Sequence, residues 1–293
     1  MKRTVLLAMA AAMVLYFAAC GNGASQMEKQ TEANEGNLAA EGEEEVELQV
    51  FIAASLNTVM TDLANRYRED HPHVKITFNA ESSGTLMMQI EEGFSCDIFF
   101  SAAQKQMDQL EADGFVVEGS RANVVNNQVV VVTRKGSGTK VTGLSTLQDA
   151  ENIALAGESV PVGRYTRQAL ICKGILEAED PSAVTTREVS QAFAGVEISE
   201  QDNVSKVLLA VVEGSCEVGT TYYSDTYGYE EELQILEVVD SSLTGDVIYP
   251  IARIKNEEAG ALQTKAAEDF LDFLLSEEAK EVFETYYFDT DVE

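Results

Sequence analysis

Strand-like and helix-like segments alternate along this chain, and this alternation restricts the possible folds more than any other feature. Residues 48–53 form a short apolar run with β-branched and aromatic members, which predicts a buried strand. Apolar side chains then follow at helical spacing, from Leu56 to Tyr67. The same succession recurs further along the chain, as is typical of βαβ units. The pattern therefore predicts an α/β fold with mostly parallel sheets.

Two serines stand where a predicted strand leads into a predicted helix. Ser55 follows the first strand, and Ser83 follows the second, at residues 74–80. Each serine is expected to act as a helix N-cap. Such a junction presents free backbone N–H groups and a hydroxyl at one point, which favours an anion.

Further neutral donors occur at other predicted junctions. Val162 begins a helical stretch, Val204 begins a helix for which Asp202 is the predicted cap, and Tyr222 ends a strand. None of these positions has a Lys or Arg at its centre. Taken alone, each is better explained by capping or core packing. The hypothesis of a shared anion site therefore depends on several of them meeting in the fold.

The N-terminal residues read as a processing segment. Lys2 and Arg3 precede an apolar stretch that is too short to span a membrane, so residues 1–19 are predicted to be a signal peptide. The sequence Ala-Ala-Cys20-Gly resembles a bacterial lipobox, which implies cleavage before Cys20 and a lipid on its sulfur. The alternative is an ordinary secretory signal with a coincidental cysteine. Residues 20–46 are acidic and lack periodicity, which predicts a disordered tether.

Charge and motif content exclude several functions. The formal net charge of −30 argues against nucleic acid, which requires a basic surface. The chain has no Gly-x-Ser-x-Gly elbow and no phosphate-binding glycine loop. Its two histidines, His71 and His73, flank a proline at a predicted turn. We therefore expect no catalytic residues, no cofactor and no residue that ligates a metal directly.

The cysteines leave one alternative open. If Cys20 carries a lipid, three cysteines remain, and their spacing matches no zinc site. Three buried free thiols at Cys96, Cys172 and Cys216 are the preferred interpretation. A disulfide between Cys172 and Cys216 is the alternative.

Seven stretches of the chain, taken together, resemble the molybdate-binding receptors of bacterial ABC importers, within the extracytoplasmic solute-binding proteins. They occur in the order of that family over nearly the whole body of the chain. The stretches are residues 50–56, 82–86, 89–102, 160–165, 203–204, 222–225 and 249–252.

The resemblance implies a two-lobed periplasmic-binding-protein fold of type II, with the ligand between the lobes. Lobe I would comprise residues 47–126 and 247–293, and lobe II residues 127–246. Side chains of Ser55, Ser83 and Tyr222 and backbone N–H groups of Val162 and Val204 would bind molybdate or tungstate. The expected partners are an ABC permease and, through the N-terminal lipid, the extracytoplasmic face of the cell membrane; the protein is expected to be a monomer.

Two alternatives to the molybdate hypothesis remain open. The first is a receptor for another tetrahedral oxyanion such as sulfate, and the second is a surface hydrolase that uses Ser55 or Ser83. Four departures from the family pattern bear on the choice of anion. They are Glu81 before the serine pair, Asn57 in place of Thr, Cys96 in place of a small residue, and Thr220-Thr221 in place of apolar residues.

Overall fold

The computed structural model describes residues 44–292. The predicted signal peptide at residues 1–19, Cys20 and the tether up to residue 43 lie outside the described residues. Among the described helices, none is both long and apolar enough to cross a membrane.

Ten strands occur in the described residues. They are β1 (Val46–Ala53), β2 (Val74–Glu81), β3 (Ile98–Phe100), β4 (Ala122–Val125), β5 (Val129–Arg134), β6 (Asn152–Ala156), β7 (Glu197–Gln201), β8 (Val218–Tyr222), β9 (Leu233–Val238) and β10 (Tyr249–Arg253).

Nine α-helices connect or cover these strands within residues 44–292. They are α1 (Asn57–Asp70), α2 (Ser83–Glu91), α3 (Gln104–Ala112), α4 (Pro161–Cys172), α5 (Thr186–Ala192), α6 (Val204–Val212), α7 (Ser241–Thr244), α8 (Ala261–Leu274) and α9 (Glu277–Thr285).

The strands form two five-stranded sheets, which confirms the predicted two-lobed α/β fold. The first sheet has the order β2-β1-β3-β10-β4, and we call it, with α1–α3, α8 and α9, lobe I. The second has the order β7-β6-β8-β5-β9, and with α4–α7 it forms lobe II. The chain passes from the first sheet to the second between β4 and β5 and returns between β9 and β10.

Both sheets are mixed, whereas the sequence predicts mostly parallel sheets. β10 is antiparallel to β3 and β4, and β5 is antiparallel to β8 and β9, while the other pairs are parallel. β5 and β10 are the strands that directly follow the two passages between sheets. Because no helical crossover from a neighbouring strand precedes them, nothing requires them to be parallel to that neighbour.

The core explains why the continuous apolar runs form strands. Val129 to Val132 in β5 are completely buried, because both faces of the second sheet are covered. In β1, Val50 and Ile52 face the main core, and Phe51 packs in a smaller cluster on the opposite face. Each of these side chains contributes about 1.5–3 kcal/mol by its burial.

The three described cysteines are free. Cys96 and Cys216 are buried, but Cys172 is exposed, so the expectation of three buried thiols is wrong at that position. Cys172 is the last residue of α4, where the helix reaches solvent. The alternative Cys172–Cys216 disulfide is absent from the structure.

Candidate functional site

One cavity between the lobes is lined by all five residues that the sequence analysis assigns to anion binding. Lobe I contributes Ser55 and Ser83, and lobe II contributes Val162, Val204 and Tyr222. The cavity has about 200 Å³ of empty space, counting the part open to solvent. It lies at the carboxyl ends of β1 and β2, the edge at which open α/β sheets bind ligands.

Ser55 does not cap a helix, contrary to the prediction. It is the middle residue of a 3-10 turn, Ala54–Leu56, between β1 and α1, and α1 begins without a side-chain cap. The Ser55 hydroxyl instead lies 2.9 Å from the hydroxyl of Tyr249, the first residue of β10. Tyr249 therefore holds the Ser55 side chain at the cavity.

Ser83 is also not the cap of its helix, because Ser82 has that role. The Ser82 Oγ accepts a 3.1 Å hydrogen bond from the N–H of Thr85. Ser83, the first residue of α2, accepts a 2.9 Å hydrogen bond at its Oγ from the N–H of Ala102. This leaves the Ser83 hydroxyl proton available for a ligand in the cavity.

Val162 and Val204 lie in the first turns of α4 and α6. Backbone N–H groups in a first turn have no acceptor within their own helix. The cap of α6 is Asn203 rather than the predicted Asp202, because the Asn203 Oδ1 accepts a 3.0 Å hydrogen bond from the N–H of Lys206. The helices α2, α4 and α6 thus all begin at the cavity, and their positive dipole ends favour an anion there.

Tyr222 ends β8 and is 1% exposed. Its hydroxyl is buried and has no hydrogen-bond partner among the described residues. Burial raises the pKa of this hydroxyl well above its ordinary value, so it stays protonated and can donate. A buried polar group without a partner is rare and calls for an explanation. A ligand that accepts a hydrogen bond from Tyr222 in the cavity would supply the missing partner.

Arg167 supports the lobe II side of the cavity and was missed by the sequence analysis. Its guanidinium is completely buried and donates to the carbonyl oxygens of Ala156, Gly163 and Val184 at 2.7–2.9 Å. These bonds fix the segment between β6 and the first turn of α4. One sequence signal could have identified Arg167. Its spacing from Gly163 and Leu170 is helical, so this charged residue lies on the buried face of α4.

Glu81, a departure from the family pattern, also lines the cavity. Its Oε2 accepts a 2.9 Å hydrogen bond from the Nδ2 of Asn203 in lobe II. The carboxylate is thus bonded across the cleft and stands near the three helix N-termini. It is the one formal charge among the residues that line this cavity.

Arg121 and Arg164, two cations that could bind an anion, have other partners. Arg121 forms ion pairs with Asp108 and Glu111, each at 2.6 Å. The Arg164 guanidinium lies 4.5 Å from the ring centroid of Tyr165. Neither arginine lines the cavity.

No histidine of residues 44–292 lines the cavity to serve as the base of a serine hydrolase. His71 follows the last residue of α1 and stacks on Tyr67 with ring centroids 4.0 Å apart. Ser55 precedes the other end of this helix, about 20 Å away at 1.5 Å per residue. The cavity can instead offer hydroxyl and backbone N–H donors from several directions, which suits a small oxyanion.

The chain matches the family model of bacterial extracellular solute-binding proteins over residues 48–289. It is 29% identical over 251 residues to YvgL of Bacillus subtilis, whose name proposes it as an ABC transporter substrate-binding lipoprotein; the match covers 85% of this chain and 89% of YvgL. It is 28% identical over 260 residues to the molybdate-binding protein ModA of Escherichia coli, covering 86% of this chain and 91% of ModA.

A solved structure has a similar sequence and fold. It is the substrate-binding domain of a proposed molybdenum ABC transporter from Clostridium difficile. Its sequence is 31% identical, its TM-score is 0.58, and the match covers 85% of this chain and all of that domain.

Proposed function

This chain belongs to the bacterial extracellular solute-binding protein family, and from that premise we propose that it is a receptor that binds molybdate or tungstate and delivers it to an ABC permease. The names of ModA and of the similar Clostridium difficile domain support this choice of ligand. The observation that carries the proposal is the meeting of five donor residues from two lobes at one cavity.

The chemistry of the cavity suits a fully deprotonated tetrahedral dianion. Removing a dianion from water is costly unless hydrogen bonds replace its hydration. Each hydrogen bond to a charged group returns about 1.5–3 kcal/mol, and each helix N-terminus adds about 0.3–1 kcal/mol. The five donor residues offer no acceptor to the O–H of monoprotonated phosphate, and the Glu81 carboxylate, already bonded to Asn203, is the one charged acceptor in the cavity lining. Sulfate has the charge of molybdate and is smaller, so cavity size has to distinguish the two.

We further propose that ligand binding favours closure of the lobes. Lobe I is assigned residues 47–126 and 247–293, and lobe II residues 127–246. Because Ser55 and Ser83 belong to one lobe and Tyr222 to the other, an anion bonded by all three stabilises the closed arrangement over an open one.

The proposed receptor is a lipid-anchored monomer without enzymatic activity, held at the extracytoplasmic face by Cys20. The name of YvgL as a lipoprotein and the lipobox-like sequence support the anchor. Replacing Cys20 by Ser should move the protein from the membrane fraction to the soluble fraction. Retention of the variant at the membrane after signal cleavage would contradict the anchor.

Calorimetric titration with molybdate, tungstate, sulfate and phosphate tests the ligand. We expect molybdate and tungstate to bind most tightly, and Tyr222→Phe to weaken molybdate binding about 10- to 150-fold, because the buried anion loses one donor. Tyr67→Phe is the matched control, since Tyr67 is a buried tyrosine of α1 that does not line the cavity. If sulfate binds more tightly than molybdate and tungstate, the proposed ligand is wrong and sulfate takes its place. Turnover of ester substrates would support a hydrolase.

A further inference from the structure

A buried chain of side chains connects Ser55 to the passage between the lobes. The Tyr249 hydroxyl lies 2.9 Å from the Ser55 Oγ and 3.3 Å from the Nδ2 of Asn127. Tyr249 and Asn127 are both buried. Asn127 precedes β5, and Tyr249 begins β10, so both residues belong to the segments where the chain changes lobe.

The orientation of the Asn127 amide sets the direction of the hydrogen bonds along this chain. The Asn127 Oδ1 accepts from the backbone N–H groups of Gln128, at 2.9 Å, and Ser224, at 3.4 Å. Because backbone N–H groups can only donate, the oxygen of the amide has to face them and its NH₂ has to face Tyr249. The amide orientation therefore follows from the fold itself.

Donation then passes from Asn127 toward the cavity. Since the NH₂ of Asn127 can only donate, the Tyr249 oxygen accepts from it. Either hydroxyl could donate in the Tyr249–Ser55 pair, and we assign the donor role to Tyr249, because the Ser55 Oγ is the one acceptor within hydrogen-bond distance of this buried hydroxyl among residues 44–292. With its oxygen already accepting, Ser55 has its own proton available for the cavity. Ser83 has the same property, because its Oγ accepts from the N–H of Ala102.

We propose that Tyr249 and Asn127 are positioning residues that fix the Ser55 hydroxyl as a donor, and so favour fully deprotonated oxyanions over protonated ones at this position of the site, in contrast to the Glu81 carboxylate, which can accept from a protonated anion. This inference rests on the proposed oxyanion-binding function. Tyr249 and Asn127 would then contribute to the discrimination between molybdate and hydrogen phosphate, although they need not touch the ligand.

Tyr249→Phe removes the proton that Ser55 accepts and retains the ring, which packs against Tyr222 and Phe288. The Ser55 oxygen can then accept from a protonated anion. We expect the ratio of molybdate affinity to hydrogen phosphate affinity to fall about tenfold. In a Ser55→Ala background the same substitution should leave that ratio nearly unchanged, because the residue it positions is absent. Tyr67→Phe is the control for removing the hydroxyl of a buried tyrosine residue that does not line the cavity.

Asn127→Asp provides a second perturbation, which reverses the direction of the hydrogen bonds between residue 127, Tyr249 and Ser55. A carboxylate would accept from Tyr249, so Tyr249 would accept from Ser55, and the Ser55 proton would no longer face the cavity. We expect a further loss of the affinity ratio. Asn126→Asp is the matched charge control, because its Oδ1 accepts from the N–H groups of Asn127 and Val247 and a carboxylate oxygen can accept the same bonds.

The outcomes separate the two claims. If the parent protein binds neither molybdate nor tungstate, the proposed function is wrong and the inference falls with it. If the parent binds molybdate while folded Tyr249→Phe and Asn127→Asp retain its affinity ratio, only the positioning role is overturned. Thermal melting of each variant identifies the folded ones. If a control variant, Asn126→Asp or Tyr67→Phe, lowers the affinity ratio as much as the test variants do, the positioning role is also overturned.

Discussion

The Nδ2 of Asn203 donates a 2.9 Å hydrogen bond to the Oε2 of Glu81, and the two residues belong to different lobes. The Asn203 amide thus has two functions. Its oxygen caps α6, and its nitrogen holds the Glu81 carboxylate at the proposed anion site. The bond joins the lobes, while the negative charge opposes a bound dianion. Glu81 therefore combines a contact that supports closure with a charge that limits affinity.

Glu81→Gln should separate these two effects. The Gln oxygen can still accept from Asn203, but the negative charge beside the dianion is lost, so we expect molybdate to bind about 3- to 30-fold more tightly. Calorimetry at two salt concentrations is the measurement. Glu91→Gln, which removes an exposed charge from the far end of α2, is the control. Weaker binding by Glu81→Gln would show that the carboxylate helps the ligand rather than opposing it.

The two neighbouring serines at the start of α2 should give different phenotypes. Ser83→Ala should weaken molybdate binding about 10- to 150-fold, and it should also lower the free energy of unfolding by about 1–3 kcal/mol, because the buried N–H of Ala102 loses its acceptor. Ser82→Ala should lower the free energy of unfolding by about 1 kcal/mol, because it removes the cap, and should affect affinity less. Denaturant unfolding and calorimetry of both variants check this. An equal loss of affinity in both variants would contradict the assignment of Ser83, rather than Ser82, as the residue that binds the anion.

The strands and the positions of the junctions could be predicted because they depend on local patterns. The run of valines in β5 and the spacing in α6 are visible in the sequence. The choice between adjacent cap residues could not be predicted from the sequence. Ser82 and Ser83 have equivalent capping chemistry, and so do Asp202 and Asn203. In each pair, a shift of one position along the chain decides which side chain caps the helix and which remains available to the cavity. That shift depends on the path of the chain in the fold.

Tyr249 and Asn127 could not be assigned from the sequence because the contacts that connect them to Ser55 join residues distant along the chain. Tyr249 meets Ser55 across 194 positions. Its bond depends on how β10 returns to lobe I, and that return also makes the first sheet mixed. The residue types at the cavity could thus be listed from the sequence, whereas the direction of their hydrogen bonds required the structure.

Asp225 should make stability fall as the pH rises. Burial raises the pKa of this carboxyl to about 6, despite hydrogen bonds from Thr221 and the N–H of Tyr222. The folded protein therefore binds this proton more tightly than the unfolded chain does. Between about pH 4 and pH 6 the free energy of unfolding should lose up to about 3 kcal/mol from this group.

Asp225→Asn isolates this contribution from those of the other carboxyl groups. The difference in unfolding free energy between the variant and the parent should increase in favour of the variant as the pH rises from 4 to 7. Urea unfolding at each pH measures it. A difference that is constant over this range would mean that Asp225 titrates normally in the folded state.

Gly84 should be required for closure, because it lies where the lobes approach each other. A Cβ on Gly84 would lie 2.8 Å from the carbonyl oxygen of Ser159 in lobe II, a backbone atom that cannot move aside easily. Gly84→Ala should therefore hold the lobes apart and weaken molybdate binding at least about tenfold, since an open cleft loses the donors of one lobe. It should not lower thermal stability much, because Ala is favoured over Gly in a helix.

Solution scattering measures closure directly. Molybdate should reduce the radius of gyration of the parent and reduce that of Gly84→Ala less. Gly260→Ala is the matched control, because an added Cβ there would meet nothing within 4 Å and the residue has a φ of −75°. Full compaction of Gly84→Ala at saturating molybdate, with the affinity of the parent, would show that the two lobes do not need this close contact, and closure would then depend on the cavity donors alone.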